Sequence, residues 1–556
     1  MRTAVLLYAI ALVVRLVLIA LFPDPAYPDS FYYVDVARQI AAGHGFNVDV
    51  VWIFAEVGGA IPAHPVLPIP SNAHWMPLAS IVQVPFIWLL GPTALASALP
   101  FAFIGALVAP LTRAIARDAG ATPLVATGAA LLTAFPGLSL AFMVQPDNFS
   151  LFQPLVAASL WMAARGLKGE PIAFILAGLL AGLATLSRND GLLVFGVLLL
   201  AVVWDRWRAW RSGRWGASRI PLGAVVASVA LFAVVIVPWY ARQLAVFGQL
   251  SPSTASGKVL FIQNIGEWDS ITTPATLQHL LAQGWPSLLA SRVDGLVNAI
   301  VIFSVLVGVV VLVPFGLMGA WRRRRSVDFG PYFTYVAVLF AFSAIISAVH
   351  VPGGTFIHSA VALAPHGYIL ALEGVAAAVA WVAARRPRWN VQAATFLFTT
   401  TAVIGTAIVG YAGALAVHGT WDARRDRMAA VDRALDAHGA PVTDRLMSID
   451  AAGYRYATGR PGVVLVNDPL PAIEQVARAY GIRWLVLERD DAVPSVEPLL
   501  RGKLPPWVGP PVWRDTDEAP GTTSPTDAPV RVALFPICTT AGDPRCTRPP
   551  TTGLTQ

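Results

Sequence analysis

The stretch TAVLLYAIALVVRLVLIALFPDPAYPDSFYYVDVARQIAAGHGF, residues 3–46, joins an apolar segment to a shorter polar one. Its first part, residues 3–22, has the length and apolar character that a membrane-spanning helix needs. In its second part, apolar and aromatic residues recur at helical spacing over 32–40, and Gly43 ends the pattern. The stretch therefore predicts a spanning helix that leads into a short surface helix, with Asp29 as the N-cap of the surface helix.

The rest of the chain repeats the apolar pattern. Of 556 residues, 56% are hydrophobic and 13% are charged, whereas soluble globular domains contain about 25% charged residues. This composition excludes a soluble enzyme and a disordered protein, and it indicates a polytopic membrane protein. Apolar stretches long enough to span lie near 3–22, 94–115, 122–143, 148–165, 171–187, 191–205, 220–241, 296–320, 331–349, 356–383 and 392–417.

The basic residues predict the orientation of these eleven spans. A further apolar segment, 76–91, is short and interrupted by prolines, and we interpret it as an interfacial helix. With that assignment, the turns on one side of the membrane carry 17 basic residues and those on the other side carry five. The positive-inside rule then predicts that the N-terminus and the basic turns 206–219 and 322–325 are cytoplasmic, and that the longer loops, 23–93 and 242–295, are outside.

The C-terminal part has a different composition and predicts a small α/β domain. The β-branched segments PVTDRLMSID, PGVVLV and GIRWLVLE, with RVALFPI as a candidate last strand, indicate three or four strands. The amphipathic segments RMAAVDRALDAHG and LPAIEQVARAYG indicate a first helix and a helix between two of the strands. We therefore expect a membrane domain over residues 1–417 and an extracytoplasmic domain over 418–556. Cys538 and Cys546 fit equally a disulfide on an oxidising outer face and two free thiols.

Charged residues at the predicted outer ends of helices are candidates for a functional site. Asp29 begins the surface helix, Asp147 lies in VQPDNFS, and Arg188 and Asp190 form the tight turn SRNDG. Each has a plain structural interpretation as a helix cap. An arginine at a helix N-terminus is also suited to holding a phosphate.

Five motifs in this order resemble the GT-C glycosyltransferases, in the branch of the protein O-mannosyltransferases and the bacterial lipid A aminoarabinose transferases. They are PDSFYYVDVARQIAAGHGF, WMPLASIVQVPFIWLLG, VQPDNFSLF, LSRNDGLLV and VPWYARQLAVFGQLSPSTASGKVLF. The resemblance covers roughly residues 1–420 and extends into DAAGYRYATGRPGVVLV of the C-terminal domain. It implies an all-α GT-C membrane domain with about eleven spans and interfacial helices in the first outer loop.

The resemblance also implies an activity. A sugar would pass from a polyprenyl-phosphate donor to an acceptor hydroxyl of a glycan, lipid or protein on the outer face of the plasma membrane. Asp29 matches the family's first-loop acid and would be the general base of an inverting transfer, with Asp147 as a secondary acid.

The remaining candidates follow from the same resemblance. Cations for the departing phosphate would be Arg188, Arg242, Lys258 and His358, the last of which has a core interpretation of equal weight. Support for the acceptor or the first loop would come from Tyr32, Tyr33, His74 and Asp190. We expect no nucleic-acid partner and no metal, because two acids without a third ligand make a poor cation site.

Two other classes of protein compete with a transferase. A secondary transporter or flippase of lipid-linked sugars would use charges inside the membrane, and Arg15 and Glu373 are such charges. We expect both to face the bundle, where they could pair with each other. Transporters usually contain repeated halves, which this sequence does not show. A non-catalytic scaffold would not need acids at two outer helix ends.

Overall fold

The computed structural model describes residues 1–213, 218–250, 260–346, 355–386, 388–516, 530–538 and 544–547. Within these residues the chain is mostly helical and forms two compact units. The first unit comprises Met1–Pro25, Trp75–Ser251 and Gln283–His418. The second comprises Ala26–His74, Pro252–Ala282 and Gly419–Gln556, so it contains parts of both predicted loops as well as the C-terminal region.

Long apolar helices dominate the first unit. In the described part of the chain, seven helices are long and apolar enough to cross a membrane: Arg2–Leu21, Ala94–Asp118, Leu222–Phe247, Trp285–Val307, Val327–Ile346, Phe356–Ala383 and Val391–Ala437. Shorter apolar helices are Leu78–Leu90, Pro123–Ala134 and Pro171–Ser187, and Phe149–Leu167 and Leu192–Arg211 are also helical. The predicted polytopic helical membrane fold is confirmed, and the count of eleven spans stays a prediction.

Two predicted spans are wrong as continuous helices. The segment 296–320 divides into Trp285–Ile302, continued by a π-helical turn, and Val313–Arg323. Between them Val309 and Val310 have positive φ angles, which a right-handed helix cannot contain, so the helix ends before them.

The segment 122–143 is helical only to Ala134. Pro136 and the left-handed Gly137 follow, and a 3₁₀ helix then runs from Gly137 to Phe142. Proline cannot continue the hydrogen-bonding ladder of an α-helix, which explains the early end.

Glycines let two pairs of helices approach closely in the first unit. A β-carbon on Gly178 would lie 2.2 Å from the carbonyl oxygen of Ser228, and one on Gly319 would lie 1.9 Å from the carbonyl oxygen of Leu370. Small residues at such contacts are typical of membrane helix packing.

The charges inside the bundle pair differently from the prediction. Arg323, not Arg15, binds Glu373, with nitrogen–oxygen distances of 2.7 and 2.5 Å. Arg15 is fully buried and donates to the carbonyl of Ala11 at 3.1 Å. The predicted Arg15–Glu373 pair is therefore wrong, because helix packing brings Val313–Arg323 rather than the first helix to Glu373.

The second unit contains a six-stranded sheet. In spatial order its strands are Val50–Val51, Gly462–Val464, Arg445–Ser448, Ile482–Glu488, Val530–Pro536 and Trp513–Thr516. The first four are parallel and the last two are antiparallel to their neighbours. The segments predicted as strands in the C-terminal region form four of these six strands. The edge strand Val50–Val51 comes from the first predicted loop, and the short pair Asn47–Val48 with Ile69–Pro70 stands apart from the sheet.

The second unit also contains short helices, which lie between and around the strands in the order of the chain. They are Pro28–Ala41, Ile53–Glu56, Ile265–Trp268, Leu277–Ala282, Ala451–Thr458, Leu470–Ala479, Glu497–Leu500 and Pro544–Thr547. The amphipathic segment predicted as a separate helix after residue 418 continues the preceding apolar helix as Val391–Ala437. Asp468 accepts hydrogen bonds from the Ser270 hydroxyl at 2.6 Å and the Ile271 amide at 2.8 Å, which joins the second loop to the sheet domain. Cys538 and Cys546 are paired as a disulfide.

Candidate active site

A buried acid and a histidine meet in the first unit. Asp147 is fully buried just before the helix Phe149–Leu167, and its carboxylate accepts the backbone N–H of Asn148 at 2.5 Å. Nδ1 of His358 lies 3.5 Å from Oδ2 of Asp147 and 3.2 Å from Oδ1 of Asn148. The imidazole stacks on the ring of Phe149, with centroids 4.2 Å apart. Two oxygen acceptors and an aromatic face thus fix the ring plane of His358.

The next residue along the chain makes a second polar contact. Ser359 donates a hydrogen bond to Asp190, whose other carboxylate oxygen accepts from Nε of Arg188 at 2.9 Å. Ser359 is fully buried and Asp190 nearly so. The guanidinium of Arg188 also lies 6.0 Å from the ring centroid of Phe152. The short helix Thr355–Ala360 therefore connects the predicted features VQPDNFS and SRNDG.

We call these six residues the polar cluster. It consists of Asp147, Asn148, Arg188, Asp190, His358 and Ser359. Buried polar and charged groups are costly in an apolar bundle unless they are paired, and such residues within membrane proteins usually mark functional positions. The cluster contains a carboxylate that can accept a proton, an imidazole, and a guanidinium whose donors can bind an anion.

The other predicted cations, Arg242 and Lys258, are not part of the polar cluster as defined here. Arg242 lies on the helix Leu222–Phe247, with its guanidinium 4.9 Å from the ring of Trp239 and 5.4 Å from that of Phe247. These cation–π contacts hold an arginine in place without cancelling its charge. Lys258 lies outside the described residues.

Asp29 belongs to the second unit, and its predicted role as an N-cap is wrong. The surface helix runs from Pro28 to Ala41, so Asp29 is its second residue. Proline favours the first position of a helix because its missing N–H has no partner there. The N-cap is Tyr27, and Ser30 completes a capping box in which its hydroxyl accepts the amides of Ala26 at 3.0 Å and Tyr27 at 3.1 Å. Capping of this helix therefore involves Tyr27 and Ser30, and Asp29 lies one residue inside the first turn.

The predicted first-loop residues Tyr32 and Tyr33 are both buried. The hydroxyl of Tyr32 donates to Oε1 of Glu56 and accepts the amide of Asn72 at 2.7 Å. Burial raises the pKa of Glu56 to about 8 and holds the pKa of Tyr32 well above its usual value. Tyr32 therefore joins the helix Pro28–Ala41 to Glu56 and Asn72 within the first loop, and its predicted role in support of the acceptor or the loop stays a prediction.

His74 also supports this loop. Its ring lies 5.3 Å from that of Trp268, which in turn contacts Phe54 edge-on at 4.9 Å. These contacts join the first predicted loop to the second within one unit.

The sequence analysis did not identify three residues that make the contacts described above, namely Asn148, Ser359 and Glu56. Asn148 stands beside a recognised acid and its amide is a natural partner for an imidazole, so the motif PDN contained that signal. Ser359 and Glu56 carried no local signal, because a serine beside a histidine and a glutamate in an apolar stretch are common. Only their partners in space, Asp190 and Tyr32, identify them.

Comparison with known proteins agrees with this architecture. Residues 91–247 match the family described as Dolichyl-phosphate-mannose-protein mannosyltransferase. No curated protein sequence matches the chain.

Solved structures share the fold. ArnT from Cupriavidus metallidurans in the apo state is 14% identical, with a TM-score of 0.52 over 96% of this chain and 97% of that one. The same protein bound to undecaprenyl phosphate gives a TM-score of 0.50 with the same identity and coverage. An oligosaccharyltransferase from Archaeoglobus fulgidus, in complex with Zn and sulfate, gives 0.51 at 14% identity over 87% of this chain and 68% of that one. The chain thus has the GT-C fold of membrane glycosyltransferases that its sequence predicts, with a protein mannosyltransferase family match over residues 91–247.

Proposed function

We propose that this protein is an integral membrane glycosyltransferase that moves a sugar from a polyprenyl-phosphate donor to an acceptor hydroxyl. The observation that carries the proposal is the polar cluster, which places a buried carboxylate, an imidazole and a guanidinium together within an apolar helical unit. One protein with this fold, ArnT from Cupriavidus metallidurans, has been solved bound to undecaprenyl phosphate. A donor of that chemical class suits a site in a membrane domain, because its lipid part stays in the bilayer.

The reaction has a simple atom balance. The acceptor oxygen forms a bond to the anomeric carbon, while the bond from that carbon to the phosphate oxygen breaks and its electron pair leaves with the phosphate. A carboxylate takes the proton of the acceptor hydroxyl as it attacks. Attack opposite to the leaving phosphate inverts the configuration of the anomeric carbon.

Asp29 is the proposed general base. The resemblance of its motif supports this role, and the helix that carries Asp29 has its N-cap at Tyr27. Asp147 is the secondary acid. Its contact with His358 and its complete burial suit a carboxylate that orients neighbouring groups.

Fixed cations would stabilise the departing phosphate. Arg188 is held by Asp190 through Nε, and the planar fork of N–H donors on a guanidinium matches the geometry of a phosphate. Arg242, His358 and Lys258 are further candidates. Preorganised donors of this kind typically contribute on the order of a hundredfold to a thousandfold in rate each.

The side of the membrane follows from the basic residues. The 17-to-5 distribution supports an orientation with the long loops and the C-terminal region outside the plasma membrane. The proposed acceptor is therefore a glycan, lipid or protein hydroxyl on the outer face.

A transfer assay in membranes tests the proposal. Membranes containing the protein receive a panel of polyprenyl-phosphate sugars, and the labelled sugar is followed into acceptor fractions. Membranes containing the Asp29→Asn variant are the matched control. Transfer that depends on Asp29 supports the proposal, whereas movement of the intact lipid-linked sugar across the membrane without transfer would instead identify a flippase. The same assay in a chelator decides whether a divalent cation takes part, and retained activity would support the metal-free reaction that the sequence predicts.

A further inference from the structure

The second unit contains a cleft that the proposed transfer reaction does not use. It has a volume of ≈ 260 Å³ and lies between one face of the helix Pro28–Ala41 and the end of the helix Ala451–Thr458. Its walls include Phe31, Asp35, Arg38, Gln39, Arg455 and Tyr456. Two of the sequence motifs that define the family resemblance, in the first loop and in the C-terminal region, thus meet at this cleft.

The polar side of the cleft is held by a chain of hydrogen bonds. Arg455 binds Asp35 at 3.3 Å and Asp49 at 2.7 Å. The amide nitrogen of Gln39 donates to the same Asp49 oxygen at 2.5 Å, and its oxygen lies 2.7 Å from Nδ1 of His44. Donors and acceptors therefore line one side in fixed positions before any ligand arrives, and such preorganisation lowers the entropic cost of binding.

The lining of the cleft also includes aromatic rings. The ring centroids of Phe31 and Tyr456 lie 5.3 Å apart, and the guanidinium of Arg38 lies 4.9 Å from the Tyr456 ring. Ligand sites commonly combine an apolar or aromatic wall with a few positioned polar groups.

Charge and size restrict the class of ligand. Two carboxylates face Arg455, so its charge is compensated within the site, and Arg38 is the other guanidinium of the wall. An anion that approached the arginines would also approach the carboxylate of Asp35, which would repel it. The cleft is smaller than the roughly 300–1,000 Å³ of pockets for drug-sized ligands. A neutral sugar ring fits this combination, because it carries several hydroxyl groups for the polar side chains and a C–H face that can lie on an aromatic ring.

We propose that this cleft binds one sugar unit of a neutral glycan, with its hydroxyl groups on Asp35, Gln39 and Arg455 and its C–H face toward Tyr456. The identification of that glycan as the acceptor rests on the function proposed above. The binding itself does not require catalysis.

Ligand-observed saturation-transfer NMR on the full-length protein in detergent tests the binding. The probes are methyl glycosides of neutral hexoses and pentoses, with glucuronate and inorganic phosphate as anionic probes. Ala42 lines the cleft, is exposed and has a right-handed helical backbone, so Ala42→Phe fills the cleft without backbone conflict. Ala437 is also exposed, ends a helix and is not part of the cleft, which makes Ala437→Phe a matched control.

We expect saturation transfer to at least one neutral glycoside with the wild type and Ala437→Phe, and its loss with Ala42→Phe. Gln39→Ala, which adds no volume, should also weaken the signal, and it keeps the test decisive if Ala42→Phe fails to fold. The proposal is overturned if no neutral glycoside binds, if Ala42→Phe or Gln39→Ala binds as well as the wild type, or if only the anionic probes bind. A protein that binds glycosides at the cleft but transfers no sugar would refute the proposed function and leave this inference intact.

Discussion

His358 lies with Nδ1 3.5 Å from Oδ2 of Asp147, although more than 200 residues separate the two in the chain. The next residue, Ser359, donates to Asp190, so two consecutive residues of one short helix contact both predicted acidic features of the membrane unit. A substitution that displaces this helix would therefore alter the surroundings of both acids.

The Asp29→Asn variant should lose transfer by roughly 10²–10⁴-fold, the range expected for a missing general base. An amide keeps the size of the side chain but cannot accept the proton. Because Tyr27 and Ser30 form the capping box of the helix, folding and membrane insertion should be unaffected. Initial rates in membranes with matched protein levels measure the effect. Ser30→Ala is the control, since it should lower thermal stability and largely preserve turnover per folded molecule. Near-normal turnover of Asp29→Asn would make Asp147 the leading candidate for the base.

The Asp147→Asn variant should lose less activity than Asp29→Asn, because its proposed role is to orient other groups. His358→Gln should lose a similar amount, and the double variant should lose little more than either single one. Non-additivity of this kind is the signature of two residues in direct contact. A double-mutant cycle on the transfer rate measures it, and fully additive losses would contradict a shared role.

The Arg188→Ala variant should raise the donor KM and lower the rate by on the order of a hundredfold. Arg188→Lys should recover only part of the loss, since an ammonium cannot reproduce the two-point contact of a guanidinium with phosphate. Removing Arg188 also leaves the nearly buried Asp190 without its ion pair, so protein stability is measured in parallel. Arg188→Ala/Asp190→Asn is the control for that structural effect. If this double variant regains normal donor use, Arg188 serves only to compensate Asp190.

The pH dependence of stability should contain a contribution from Glu56. Its pKa is about 8 in the folded protein against a usual 4.5, because of burial. Between these values the folded state binds the proton and the unfolded state releases it, so stability falls as the pH rises from about 4.5 to about 8. The slope from one such group is at most about 1.4 kcal/mol per pH unit.

Glu56→Gln should remove this contribution and make the variant relatively more stable at pH 8 than at pH 5. Thermal unfolding in detergent at several pH values measures the difference from wild type. Glu497→Gln, on a side chain that is 50% exposed, is the matched control and should leave the pH profile unchanged. A profile that is identical for wild type and Glu56→Gln would contradict the proposed protonation of Glu56.

The C-terminal region should be accessible from outside the cell. A single cysteine at the exposed position Ala437, in a background with Cys538 and Cys546 replaced by serine, should react with a membrane-impermeant maleimide in intact cells. A cysteine at Arg211, in a basic turn predicted to be cytoplasmic, should react only after permeabilisation. The reverse pattern would invert the predicted topology.

The sequence by itself determined the features that depend on local chemistry. Apolar length predicts the helices, because transfer of apolar side chains from water into lipid does not depend on which neighbours they meet. Alternation and β-branching predicted the strands Arg445–Ser448, Gly462–Val464 and Ile482–Glu488, and five motifs in order predicted the GT-C fold. Asp147 and the Arg188–Asp190 turn were recognisable because they lie in the motifs VQPDNFS and SRNDG, at the predicted outer ends of apolar helices.

The tertiary structure decided the features that depend on which elements meet. Packing, not sequence pattern, pairs Arg323 with Glu373 and adds the strand Val50–Val51 to the edge of a sheet whose other strands lie some 400 residues later. It also brings His358 and Ser359 to two acids from other helices. A side chain's partner is set by the summed contacts of whole helices and strands, and no local periodicity encodes that sum.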